Sequence, residues 1–224
     1  MDNKTNLRKM ALTGGASLIA MAVLAGIGYG YGFMNIYVAG NTTATLQNLN
    51  NAPQMLQLVI FSFVLILVLD VVVAWALFHF FKQGNPKLSL LSAWLRVIYT
   101  GWLGVAVLKL FSAMTLADSA IPDGAAIMDS LQLFLDIWSW GLILFGLHLL
   151  VLGYIVLRSG YIPKFIGWLT LFAALSYLFN NLANLVVLHY EQYKGTVEAV
   201  LGLPMALGEL VLAVWLLVKG GKLP

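Results

Sequence analysis

The chain has 224 residues, of which 61% are hydrophobic and 9% charged, with a formal net charge of +3. A soluble domain is about half apolar and about a quarter charged, so this composition excludes a soluble globular enzyme, and its apolar and aromatic content excludes a disordered chain. Cysteine is absent, which excludes disulfides and thiolate chemistry, and the small net charge argues against nucleic acid as a partner.

A helix crossing the hydrocarbon of a bilayer needs about 20 apolar residues. In chain order such runs cover residues 10–38, 54–81, 88–115, 127–157, 165–188 and 197–218. The first also resembles a signal peptide, with Lys4, Arg8 and Lys9 ahead of the apolar stretch Ala11 to Ala25. A cleaved leader normally precedes a hydrophilic chain. Here five more apolar runs follow and the first continues through Phe33, so it is expected to remain as a helix. Gly26, Gly28, Gly30 and Gly32 form overlapping small-xxx-small pairs, which predict close helix packing. No strand precedes them, so the context of a nucleotide-binding loop is missing. The uncharged connection Gly40 to Ala52 suits a short amphipathic helix through Ala44, Leu46 and Leu49. Pro53, Pro86, Pro122 and Pro163 fall in connections, and Pro204 lies inside the sixth run, where a kink is expected.

Lys and Arg set orientation. Lys4, Arg8 and Lys9, then Lys82 and Lys87, Arg158 and Lys164, and Lys219 and Lys222 all fall on one side. The other side has Lys194, with Asp118, Asp123, Asp129, Glu191 and Glu198. The expectation is one all-α, polytopic membrane domain over residues 1–224, a bundle of six transmembrane helices with both termini cytoplasmic. Nothing in the sequence marks an internal repeat.

A charge at the bilayer centre costs a few kcal/mol or more, so it faces protein or water and has a partner. With 1.5 Å of rise per residue, Arg96 lies about 12 Å from the cytoplasmic end, His148 and Glu209 about 15 Å, and Asp70 about 18 Å. These four groups, on four helices, share a near-midplane depth and form the candidate internal polar site. Helical phase puts Ser89, Ser92, Arg96 and Thr100 on one face, and Gly202, Met205 and Glu209 on another. A secondary polar cluster is expected from Asp136, Tyr177, Asn180, Asn181 and Asn184. Each group also has a purely structural reading. Asp70 and Arg96 make a buried ion pair, His148 donates to a backbone carbonyl, the asparagines join helices, and Lys109 snorkels or pairs with Asp136.

No HExxH, GxSxG or phosphate-loop motif occurs. His79, His148 and His189 lie at three different depths, so neither a metal site nor a haem is expected, and no cofactor.

From the second helix onward the chain resembles an uncharacterised bacterial membrane family, the domain of unknown function 4386 family. The densest similarity is FGLHLLVLGYIVLRSGYIPKFIGWL at Phe145 to Leu169; GELVLAVWLLVKG at Gly208 to Gly220, Asp70 in VLDVVVAWALF and Arg96 in LSAWLRVIY add to it. Two places depart from the family pattern: SYLFNN, with Asn180 where an Asp after a Gly-Tyr pair is usual, and DIWSWG, where His, Tyr and Asp are more frequent. The resemblance implies a compact multi-helix membrane fold and no particular activity. The expected function is that of a multi-pass inner-membrane protein whose polar site binds or moves a small or lipid-like molecule or a proton. The alternatives are an intramembrane enzyme using His148 with an acidic partner, and a structural or accessory subunit. The expected surroundings are the lipid bilayer and a small hydrophobic or lipid-like ligand.

Overall fold

The computed structural model describes residues 2–187 and 190–221, without the side chains of residues 2–4, 191 and 194. Leu188, His189 and Lys222, used above, lie outside the described residues. All regular structure among the described residues is helical. Helix α1 runs Asp2–Ala25, continues as a π-helix over Gly26–Phe33 and ends in the turn Met34–Ile36. Then follow α2 Thr42–Asn51, α3 Gln54–Phe81, α4 Pro86–Ala117, α5 Gly124–Arg158, α6 Lys164–Val186 and α7 Glu191–Val218. Six of these are long and apolar enough to span a bilayer: Thr5–Ile36, Gln54–Phe81, Pro86–Ala117, Gly124–Arg158, Lys164–Val186 and Gly195–Val218. The protein is a six-helix membrane bundle.

The boundaries follow from capping chemistry. Asn41 caps α2 by accepting from Ala44 N at 3.0 Å. Helix α4 opens on Pro86, whose fixed φ suits a first turn, and Asn85 Oδ1 accepts from Leu88 N at 3.1 Å. Asp123 Oδ1 accepts from Ala125 N and Ala126 N at 3.0 and 3.1 Å, a carboxylate on the positive end of α5. Pro204 lies inside α7. The short helix foreseen in the first connection forms; it buries Leu49 together with Thr45, whose hydroxyl accepts from Val38 N.

The chain divides into two compact units. One gathers Met21–Val68 and Thr100–Ser139. Its core is aromatic: Phe63 and Phe134 lie edge to face at 5.1 Å, and Phe33 and Trp138 pack on Phe134. The glycine run of α1 is used differently from the expectation. A Cβ on Gly28 would stand 2.7 Å from Ser62 Cβ, and one on Gly32 the same distance from Val59 Cγ2. Gly26 and Gly30 face open space. One small-xxx-small pair therefore makes the contact, and the backbone carrying it is π-helical rather than α-helical.

The other unit gathers the residues up to Ala20, Leu69–Tyr99 and those from Trp140 onward. Here Arg8 closes the C-terminus of α7. Its guanidinium donates to Leu216 O, Leu217 O and Gly220 O at 3.1, 2.6 and 2.7 Å, adding a cationic cap to the last carbonyls of the helix. Helices α6 and α7 approach closely at Gly208. A Cβ there would collide with Ala173 Cβ, and the Thr170 hydroxyl shares its proton between Ile166 O at 2.9 Å and Gly208 O at 3.2 Å. This contact sets the position of the neighbouring Glu209.

A buried charge cluster as candidate functional site

Asp70, Arg96, His148 and Glu209 all belong to the second unit and meet in one network. Phase explains the burial of Arg96: Ser89, Ser92 and Thr100 share its face of α4, and all four side chains are buried. Arg96 Nε donates to Asp70 Oδ1 at 2.8 Å and Nη1 donates to Glu209 Oε1 at 2.6 Å. Nη2 reaches Glu209 Oε2 at 3.5 Å. The planar fork of a guanidinium serves two carboxylates in this way, as an ammonium could not. The guanidinium also lies over the Phe145 ring, 5.4 Å from its centroid. Tyr99 and Tyr177 pack on the same ring at 5.0 and 5.1 Å.

The contacts of His148 assign its tautomer. Nε2 lies 3.1 Å from Arg96 Nη1, an atom that can only donate, so Nε2 accepts. Nδ1 lies 2.8 Å from the carbonyl oxygen of Ser92, which can only accept, so Nδ1 carries the proton. The imidazole is neutral in this arrangement. Ser92 Oγ also lies 3.0 Å from Nδ1. A protonated Nδ1 cannot take the hydroxyl proton of Ser92, so the pair is not arranged as a base and its nucleophile. Glu209 Oε1 is 3.9 Å from His148 Nε2, and Arg96 Nη1 donates to both. The three atoms form a shared centre.

Two features depart from a closed structural ion pair. Asp70 Oδ2 is fully buried and has no hydrogen-bond partner among the described residues. A polar atom left so costs about 1–3 kcal/mol unless a proton or water meets it. In addition, with both carboxylates ionised and the imidazole neutral, the cluster holds two negative charges and one positive. One proton restores neutrality. The side chains of Asp70, Arg96 and His148 are at most 1% exposed, whereas that of Glu209 is 17% exposed, so Glu209 is the member open to its surroundings.

Of the residues expected in a secondary cluster, Tyr177, Asn180, Asn181 and Asn184 all lie on α6. Asn180 Oδ1 accepts from Tyr190 OH at 2.8 Å, and Asn181 Nδ2 donates to the Tyr177 carbonyl at the same distance. Asn184 is half-buried. Asp136 belongs to the other unit, where it accepts from Gln132 Nε2 at 2.9 Å, and Gln132 in turn accepts from Tyr37 OH. No ion pair joins Asp136 to Lys109 among the described residues. His79 stands apart from the charge cluster, its Nδ1 on Trp75 O at 3.0 Å. No group of three or more His, Asp or Glu side chains suited to a metal occurs among the described residues. Sequence reasoning passed over Phe145 and the Ser92 carbonyl as parts of the network. Phe145, three residues before His148 on the same helix face, was legible in principle; a backbone acceptor was not.

Two cavities are relevant. The larger, about 420 Å³, is a mainly apolar groove between α6 and α7, lined by Phe172, Phe179, Val197 and Val200 with Ser176 and Thr196 among others. It includes none of the four charged residues, so size alone does not mark the site. The smaller, about 10 Å³, has the room of one water molecule and touches His148.

The chain matches the family described as Domain of unknown function (DUF4386) over residues 13–220. A relative from Archaeoglobus fulgidus, described as an uncharacterized protein, is 31% identical over 159 residues, covering 71% of this chain and 82% of the relative. No solved structure matches. The similarity thus reaches an archaeal protein. With nearly the whole length matched, and the four charged residues all inside the match, the chain belongs to the DUF4386 family of multi-pass membrane proteins.

Proposed function

We propose that the Asp70–Arg96–His148–Glu209 cluster is an exchangeable proton site, and that the protein binds or moves a proton through its interior. The observation carrying this reading is the neutral imidazole and the carboxylate sharing one guanidinium nitrogen, in a cluster that is one positive charge short of neutrality when both carboxylates are ionised. A buried uncompensated charge is costly, so the cluster exchanges a proton with less disturbance than a set of balanced pairs would. The cavity that touches His148 has room for one water. The geometry of Ser92 and His148 gives no support to a nucleophilic enzyme. The direct test is a proton count. Purified protein taken through the ordinary histidine range, roughly pH 5 to 8, is expected to bind one proton more per chain than the Glu209→Gln, His148→Gln double variant. Equal uptake would leave a structural ion-pair network.

The proposed setting is a cell inner membrane with both termini cytoplasmic, supported by the Lys and Arg distribution. With no native cysteine, each introduced one is a unique probe. Cysteine at Gln47 or Ile121, both exposed, is expected to label from outside, and at Gln83 or Ser159 only after permeabilisation. The opposite labelling pattern refutes the orientation.

A further inference from the structure

We propose that His148 exchanges its proton through a hydrated passage on the side of the α3–α4 turn, with the hydroxyls of Ser89 and Ser92 as its polar wall. This rests on the proton-site reading and adds to it a route and a side.

The small cavity is lined by Ala74, Leu77, Phe78 and Phe81 of α3, Ser89, Ser92 and Ala93 of α4, and His148, Leu152 and Ile155 of α5. It is partly enclosed, and its residues step from the turn toward the cluster. Phe81 and Ser89 flank the turn between α3 and α4; Ser92 and His148 belong to the cluster itself. Ser89 Oγ donates to Phe78 O at 3.0 Å, which leaves its lone pairs for a water. Ser92 Oγ lies 3.0 Å from His148 Nδ1. A water in this space has the hydroxyls of Ser89 and Ser92 as partners, within the two to four that hold a buried water in place. On the other side of the ring, Nε2 faces Arg96 Nη1 and Glu209 Oε1, and Arg96 carries Asp70. Tyr177 packs on Phe145 beside this side of the ring and feels the charges of Glu209 and Arg96. The imidazole therefore separates the two sides. In one exchange event Nδ1 gives its proton by way of Ser92 Oγ to water in the passage and takes one back from that water, so the ring keeps its charge and its tautomer.

The test uses the full chain in lipid nanodiscs with His79→Gln and His189→Gln, so that His148 gives the sole imidazole signal. The rate at which its Nδ1 proton exchanges with bulk water is read by nitrogen-15 NMR, alongside its equilibrium titration. Ala93→Leu, which fills the passage from a half-exposed position, is expected to slow exchange at least tenfold with the titration midpoint retained. Ser89→Ala, the milder change, is expected to slow it several-fold. Unchanged exchange in both variants, with each folded as judged by the remaining spectrum, overturns the passage while the proton site stands. A His148 that exchanges through the passage yet never titrates refutes the proton site instead.

Discussion

Arg96→Gln is expected to be the most destabilising single substitution in the cluster, costing on the order of 3–5 kcal/mol. Arg96 alone touches both carboxylates, and without it Asp70 and Glu209 are left as unpaired neighbours in the interior. Asp70→Asn and Glu209→Gln are expected to cost less, because each leaves one guanidinium with one carboxylate. The combined Arg96→Gln, Asp70→Asn, Glu209→Gln variant is expected to recover much of the loss, since groups in one network do not add. Unfolding in mixed micelles measures this series. If Arg96→Gln proves no worse than Asp70→Asn, the guanidinium does not hold the cluster together.

Gly208→Ala is expected to cost about 1–3 kcal/mol and to loosen the site as well. Its added methyl collides with Ala173 Cβ, so α6 and α7 must separate where Thr170 now bonds the Gly208 carbonyl. Glu209 is the next residue and reaches Arg96 because α7 sits this close. The His148 signal is therefore expected to shift along with stability. Ala173→Gly, placed in the Gly208→Ala chain, is expected to restore both by returning the missing space. A neutral Gly208→Ala would show that the approach of α6 and α7 does not position Glu209.

The spans and their ends were legible because a bilayer imposes length and composition on each helix; α3 begins and ends at the residues that hydropathy marks. The common depth of the four charged residues was legible too, since rise per residue converts sequence separation into height. Which helices are neighbours was not. A stripe on α4 says that Arg96 faces inward; it does not say that two carboxylates from α3 and α7 converge on its fork, because that depends on contacts such as Gly208 against Ala173. The π-helical stretch of α1 was hidden for a related reason. Alternating glycines permit several backbones, and packing against Ser62 and Val59 accompanies the one adopted. Asp136 was placed by depth with the asparagines, and its observed partner, Gln132, is one turn away on the same helix.

The most direct measurement of the shared proton is nitrogen-15 NMR of the His148 imidazole in the chain lacking His79 and His189, with and without Glu209→Gln. At high pH the ring is expected as the Nδ1–H tautomer, donating to the Ser92 carbonyl. On acidification Nε2 should gain a proton, and Glu209→Gln should move the midpoint of that change by about one pH unit or more, since a partner 3.9 Å away is lost. An Nε2–H tautomer at high pH, or the same midpoint in both chains, would contradict a proton shared between His148 and Glu209.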